Sequence, residues 1–392
     1  RDLTRTPRQR IVLRREMTRL RREEPGSNLL RQLEREFQYS AVDTCAADGM
    51  CATACPVGID TGLLVKHLRD EAHPGWRRRL ARTMAGHFGT VAKAARLGLR
   101  AAHATRTILG DRGAAGVARM AGRLGVDLPL ELPDLPRPAR TRLPRTTRDG
   151  ARAVYLPSCV SRTVAPEGGD HPLAEVVAAV CERAGAPVWI PKEVTDHCCG
   201  MPFGSKGYKD AAALAASRFV EAIWEWTDGG RLPAILDTSP CAHTLRECGP
   251  DLAPDLRAKH ERLELLDGLE YAQTHVVPGL KGGATAGRVA LHPVCSTVKM
   301  GLDGLLAEVT APFCAEAVVP STAGCCGFAG DRGYLVPELT AAATGDEARE
   351  VLAGDFEGFY SSSRTCEIGL TRATGKPYRS FWYLLDESSR PG

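Results

Sequence analysis

Cys45, Cys51 and Cys55 crowd one short stretch, and Cys55 is followed by Pro56. Farther along, Cys198-Cys199 and Cys325-Cys326 are adjacent pairs, and Cys159, Cys241, Cys295 and Cys366 stand singly around them. Thiols grouped in this way bind soft metals or exchange electrons. Neighbouring cysteines rarely bridge each other, because the intervening peptide resists the required geometry. No apolar run with a cleavage site marks the chain for secretion, so the clusters read as metal or redox groups of a cytoplasmic protein, not as disulfides.

The segment Cys45-Ala-Ala-Asp48-Gly-Met-Cys51-Ala-Thr-Ala-Cys55-Pro56 fits the bacterial cubane pattern C-x2-C-x2-C-x3-C-P at every position but one. Asp48 stands where the second cysteine belongs. A carboxylate is a harder ligand than a thiolate, so Asp48 either binds one iron weakly or leaves that corner open, which brings a three-iron cluster into view. The spacing is not that of the usual zinc knuckles.

The remaining cysteines form an internal repeat. "YLPSCVS" answers "ALHPVCST", "HCCGMPFGSKGY" answers "GCCGFAGDRGY", and "LDTSPCAHTLR" answers "YSSSRTCEIGLTR". The paired cysteines Cys159/Cys295, Cys198/Cys325 and Cys241/Cys366 stand 136, 127 and 125 residues apart. Each copy predicts strand, cysteine, helix, strand, cysteine pair, helix, strand and cysteine. Strands are expected at 153–156, 188–190 and 234–236, then at 289–291, 318–319 and 358–360. Helices are expected over 173–184, 210–226, 302–309 and 337–351. Alternation of this kind implies parallel sheets covered by helices, with every motif cysteine at the carboxyl end of a strand, where open α/β sheets form their crevices. Cys159, Cys198, Cys199 and Cys241 are thus one candidate ligand set, and Cys295, Cys325, Cys326 and Cys366 another. Cys181, Cys248 and Cys314 fall outside the repeat and read as core residues, and His197, His243 and His292 as hydrogen-bonded neighbours of the motifs.

These motifs must be positioned by a chain of 392 residues with 43% apolar and 25% charged residues, long enough to bury a core and unlike a disordered or collagen-like chain. The predicted organisation is α/β: a helical ferredoxin-like region over 1–127, a Pro-rich linker over 128–149, and two tandem βαβ half-domains over 150–280 and 281–392. Leu29, Leu30, Leu33 and Phe37 recur at helical spacing behind a Pro25-Gly26-Ser27-Asn28 break that supplies a cap. Residues 71–150 carry 16 Lys and Arg against 6 Asp and Glu, within a net charge of +4 for the whole chain. In that stretch Trp76, Leu80, Met84, Phe88, Val91, Ala95 and Leu99 make an apolar stripe amid arginines. Two readings stand: an amphipathic helix lying on an anionic membrane surface, or one packed on its own domain. No aromatic or recognition motif accompanies the charge to suggest nucleic acid.

"CAADGMCATACPVGID", "HCCGMPFGSKGY", "STAGCCGFAGDRGYLVPELT" and "YSSSRTCEIGL" resemble the carboxy-terminal part of bacterial FAD- and iron–sulfur-containing D-lactate dehydrogenases, over essentially the whole chain. The repeats are similar to the cysteine-rich CCG domains of the heterodisulfide reductases (their B subunit) and of glycolate oxidase iron–sulfur subunits. The resemblance implies FAD and substrate-cap domains, and a first ferredoxin motif, upstream of Arg1. It implies [4Fe-4S] or [3Fe-4S] clusters that relay electrons from reduced FAD to a quinone or cytochrome, with peripheral contact at the inner face of the plasma membrane. The reductase pattern ends each repeat in C-x-x-C, whereas this chain has Cys241-Ala-His-Thr244 and Cys366-Glu-Ile-Gly369. Each site therefore keeps four thiols of five. The sequence has no G-x-G-x-x-G after a strand, no phosphate loop and no nucleophile–base grouping, hence no candidate catalytic residue. Two other readings are a separate iron–sulfur subunit of a glycolate oxidase or heterodisulfide reductase-like complex, and a non-redox module held by structural zinc.

Overall fold

A computed structural model describes residues 6–123, 136–139, 142–166 and 171–390. Much of the Pro-rich stretch, including Pro129 and Pro133, lies outside the described residues.

The chain begins with α1 (Pro7–Glu23), α2 (Asn28–Phe37), the short α3 (Met50–Thr53) and α4 (Thr61–Ala72). Ser27 caps α2, its hydroxyl accepting from the Leu30 N–H at 3.1 Å, as the turn before it predicts. Met17, Leu20, Leu30, Phe37, Val42 and Val65 close an apolar cluster of their own around Cys45. Two helices follow, α5 (Gly75–Gly86) and α6 (Phe88–Arg123), the latter interrupted by non-helical backbone at Gly110.

The first sheet then forms from β1 (Ala153–Leu156), β2 (Val188–Trp189), β3 (Ala234–Leu236) and β4 (Leu265–Asp267), in the order β2-β1-β3-β4 with every pair parallel. Between the strands run α7 (Cys159–Thr163), α8 (Leu173–Arg183), α9 (Met201–Ser205), α10 (Lys209–Trp226), α11 (Ser239–Glu247) and α12 (Pro254–His260), and α13 (Gly268–Tyr271) follows β4. The second sheet repeats the plan. Its strands β5 (Ala286–His292), β6 (Cys314–Val318), β7 (Gly358–Ser361) and β8 (Arg379–Ser380) lie in the order β6-β5-β7-β8, again parallel. Its helices are α14 (Cys295–Lys299), α15 (Leu305–Thr310), α16 (Arg332–Leu335), α17 (Pro337–Ala353), α18 (Arg364–Thr374) and α19 (Phe381–Ser389). The central strands β1, β3 and β7 are buried along their whole length, as strands covered on both faces must be.

The two sheets share one apolar core. Helix α19 packs against α8 of the first half, with Trp382, Tyr383 and Leu384 buried, and α13 packs against α15 of the second. Arg183 seals the first of these contacts through Asp386 at 2.6 Å.

The Arg-rich stripe splits at His87, between α5 and α6. Helix α5 docks on α10 through Ala81 and Ala85, which meet Ala211 and Ala215. Small side chains let the two helices approach closely. Trp76 and Leu80 point the other way and remain 61% and 52% exposed. Phe88 of the upper stripe packs edge-on to Phe203.

Candidate metal centres

In both halves a cysteine lies three residues beyond the end of the first strand and opens a helix: Cys159 after β1 and Cys295 after β5. A second lies five residues beyond the third strand, as the third residue of a helix: Cys241 in α11 and Cys366 in α18. The adjacent pairs occupy the turn after the second strand. All eight thiols thus sit at the carboxyl edges of their sheets, and the helix N-termini there favour negative charge.

In the first half the thiols act on one another in sequence, Cys159 with Cys198, Cys198 with Cys199 and Cys199 with Cys241. In the second, Cys295 meets Cys325, and Cys326 donates to Cys366 at 3.0 Å. The Cys198 contact and then burial hold the Cys159 thiol well above its ordinary pKa. The Cys295 contact and then burial do the same for Cys325, as do the Cys326 contact and burial for Cys366. Cys295 is lowered, first by its bond from Cys325. Crowded thiols out of water resist ionising together unless a cation joins them. Metal binding requires that ionisation and supplies the cation. This donor set therefore fits an iron–sulfur centre in each half, which Cys159, Cys198, Cys199 and Cys241 and Cys295, Cys325, Cys326 and Cys366 would hold. Backbone N–H groups already point at sulfur, from Gly200 to Cys198 and from Gly327 to Cys325, each at 3.4 Å.

The glycine after each pair is required twice over. Gly200 and Gly327 have φ of +92° and +67°, in the left-handed region. A Cβ on Gly200 would stand 2.6 Å from the Ala212 carbonyl oxygen in α10. One on Gly327 would stand 3.0 Å from Ala343 Cβ and 3.1 Å from the Leu339 oxygen in α17. Gly200→Ala is accordingly expected to destabilise the fold by ~1–3 kcal/mol, and Gly327→Ala by less, as read by thermal melting of the two variants side by side. Equal melting temperatures would contradict the difference in clearance.

Two polar side chains lie close to the first set. Asp237, buried at the end of β3, accepts from the Tyr155 hydroxyl and the Ser158 N–H, both at 2.9 Å, and burial raises its pKa. Arg162, also buried, spends Nε on the Pro157 carbonyl and Nη2 on that of His197, and leaves Nη1 without a partner. Its charge favours a Cys159 thiolate. Neither residue carries a motif that marks it in the sequence.

Two of the histidines beside the motifs have other partners. His197 stacks on Phe219, and His292 binds Glu347 in the core. The thiols of Cys248 and Cys314 donate to the backbone carbonyls of Leu245 and Thr310.

The N-terminal cysteines face separate donors. Cys45 accepts from Arg10 and from the Ala47 N–H, each at 3.3 Å. Cys51 accepts from the Thr61 N–H, also at 3.3 Å. Cys55 receives the N–H groups of Ile59 and Val57, which lower its pKa. Among the described residues, the one trio of metal-binding side chains mutually within 4.8 Å is Asp48, Cys295 and Cys325.

The segment is fastened to both halves. Arg69 donates to the carbonyls of Val42 and Cys45 at 2.7 Å and to that of Ser205, beside the first cysteine pair, at 2.5 Å. Arg332, beyond the second pair, donates to the Asp43 carbonyl. Lys206 and Asp331, on the two repeat loops, pair at 2.5 Å.

Residues 153–246 match the family model of the cysteine-rich CCG domain. That span runs from β1 into α11 and holds the complete first thiol set. The chain is also 26% identical over 167 residues to the C subunit of the anaerobic glycerol-3-phosphate dehydrogenase of Escherichia coli strain K12, and equally to that of strain O157:H7. Each alignment covers 42% of this chain and 42% of the relative, so the chain spans less than half the length of the curated relatives it matches.

Proposed function

We propose that this chain is the iron–sulfur electron-transfer part of a flavin-dependent dehydrogenase, one that oxidises D-lactate or a related D-2-hydroxy acid. Two thiol quartets at the carboxyl edges of parallel sheets, five of their eight members buried, carry the reading. The CCG match over the first of them and the similarity to a dehydrogenase subunit support it. Oxidising a hydroxy acid removes two electrons together; FAD accepts the pair and releases it singly, and iron–sulfur centres supply one-electron carriage toward a quinone or cytochrome. The chain's own groups hold sulfur out of water, aim backbone N–H groups at it, and set Arg162 beside Cys159. The motif of Cys45, Cys51 and Cys55 is assigned a further, ferredoxin-like centre. The flavin and substrate domains belong to this proposal, whether fused or separate. The similarity to one subunit of a dehydrogenase favours a second reading, in which the chain docks a separate flavoprotein.

Iron, zinc and acid-labile sulfide on anaerobically purified protein, with low-temperature EPR before and after dithionite, test the core of this reading. Iron with matching sulfide and a reducible signal is expected. Zinc, or no metal in a folded chain, overturns it. Mixing the loaded chain with flavoproteins reduced by D-lactate or by glycerol 3-phosphate then identifies the donor, as the one that produces the reduced signal.

Helix α5 is assigned to an anionic membrane surface. Trp76, Leu80 and Met84 follow one another at four-residue spacing on its exposed side, with Arg77, Arg79 and Arg82 among them. Among the described residues, no helix is long and apolar enough to cross a membrane. Vesicles containing phosphatidylglycerol are expected to co-sediment the protein at low salt, and Trp76→Ser to weaken this several-fold. Equal recovery on phosphatidylcholine vesicles would remove the electrostatic part of the assignment.

A further inference from the structure

Asp48 breaks a cysteine motif and meets two cysteines from outside it. The loop that carries it is turned by positive φ at Ala47 (52°) and Gly49 (79°). Its carboxylate thereby comes within 4.8 Å of both Cys295 and Cys325, two thiols of the second half. The approach is supported from several sides. Helix α3, just beyond the loop, packs on α14, whose first residue is Cys295. The Met50 N–H donates to Asp48 Oδ1 at 3.3 Å. A Cβ on Gly49 would stand 2.7 Å from Asp60 Oδ2 and 3.1 Å from Lys299 Nζ, so only glycine lets those groups close on the loop. Asp60 is itself tied down as the cap of α4, accepting from the Gly62 N–H at 2.6 Å.

Two lysines stand among the surrounding charges, beside the Asp60 carboxylate. Lys299 ends α14, and the largely buried Lys66 lies close enough to Lys299, Asp60 and Asp48 to feel all three. A carboxylate and two thiolates brought together in a partly buried place repel one another unless a cation joins them. Two lysines at the border offset part of that repulsion. They donate no lone pair to a metal themselves, so the metal position remains with the three anionic groups. Among the described residues the first half has no equivalent trio. Its nearby carboxylate, Asp237, is occupied by Tyr155 and Ser158.

We infer that Asp48 would supply an oxygen ligand to the second half's metal centre, beside Cys295 and Cys325. The inference rests on the iron–sulfur reading of the half-domains. It makes the two centres chemically different despite their matched thiols: all-sulfur in the first half, sulfur and oxygen in the second. It also explains the broken motif, since a cysteine at position 48 would exchange the one hard ligand of the second centre for a further soft one. Metal binding there also fastens the N-terminal helices to the second half, because the ligands come from both.

The test uses the full chain, purified anaerobically with iron enriched in the Mössbauer isotope, as wild type and as the variants Asp48→Asn, Asp48→Ala, Cys51→Ser and Cys325→Ser. Mössbauer and EPR spectra are read together with iron and sulfide content. Asp48→Asn is close in shape to the native side chain and guards against a variant that fails to fold. The expected result is that both Asp48 variants remove an oxygen-ligated subsite from the spectral component that Cys325→Ser abolishes, and leave intact the component that Cys51→Ser abolishes. Asp48 variants that alter only the Cys51-dependent component return Asp48 to its own motif and overturn the inference. Spectra identical to wild type overturn it as well. A wild-type protein without iron and sulfide overturns the function reading and the inference together, so the two failures are told apart by the first sample measured.

Discussion

Cys199→Ser is expected to abolish the first half's iron–sulfur signal and to leave the second half's signal at full strength. Cys199 stands between Cys198 and Cys241 in its thiol set and is buried. Serine keeps the shape closely but offers a hard, poorly ionised oxygen, which holds iron far less well than thiolate. The second quartet hangs on different strands, β5 and β7, and on a different cysteine pair. It therefore has no direct stake in Cys199. The reciprocal variant, Cys326→Ser, is expected to silence the second signal alone, since Cys326 bonds Cys366. EPR of the dithionite-reduced proteins, quantified against iron and sulfide, reads both results. Loss of both signals in either variant would mean that one centre spans the halves.

Glu347→Ala carries the largest expected cost in stability, ~3–5 kcal/mol. His292 closes β5, and its Nδ1 lies 2.8 Å from Glu347 Oε1 in α17, with the two side chains 0% and 2% exposed. Removing the carboxylate leaves a buried imidazole without its one partner, because Nε2 already has none. The first half states the alternative. Leu156 ends β1, and Val220 stands 127 residues before Glu347, the same interval that separates Gly200 from Gly327; both are buried. The double variant His292→Leu/Glu347→Val copies that apolar solution. It is expected to recover most of the loss, as replacement of a buried ion pair by well-packed apolar residues often does. Chemical denaturation of the three proteins reads the cycle, and a double variant no more stable than Glu347→Ala would show that the second half cannot repack.

The alternation of strands and helices was legible because each strand is a short apolar run bounded by turn residues, and because the repeat presents every motif twice. The intervals of 136, 127 and 125 residues reappear in space: Gly200 abuts Ala212, and Gly327 abuts Leu339, each at a 127-residue interval. The fourth strands, β4 and β8, were not legible. Leu265-Leu266-Asp267 and Arg379-Ser380 are too short or too polar to signal a strand, and extend only because a neighbouring strand pairs with them. Periodicity found the apolar stripe of α5 but not its direction. Ala81 and Ala85 win the buried side because they admit α10 at close range, and the larger Trp76 and Leu80 are left outside. The placement of Asp48 had no local signal either. Its sequence neighbours are Cys45 and Cys51, and only the packing of α3 on α14 brings it to Cys295.

The bond from Arg332 to the Asp43 carbonyl joins residues 289 positions apart. At roughly 5–20 residues per second of synthesis, Asp43 leaves the ribosome about 15–60 s before Arg332 exists. Through that interval the loop bearing Cys45, Cys51 and Cys55 lacks the bond by which the second half fastens it. Fastening is thus timed by the length of the message, and a slower ribosome would lengthen the period before that bond can form.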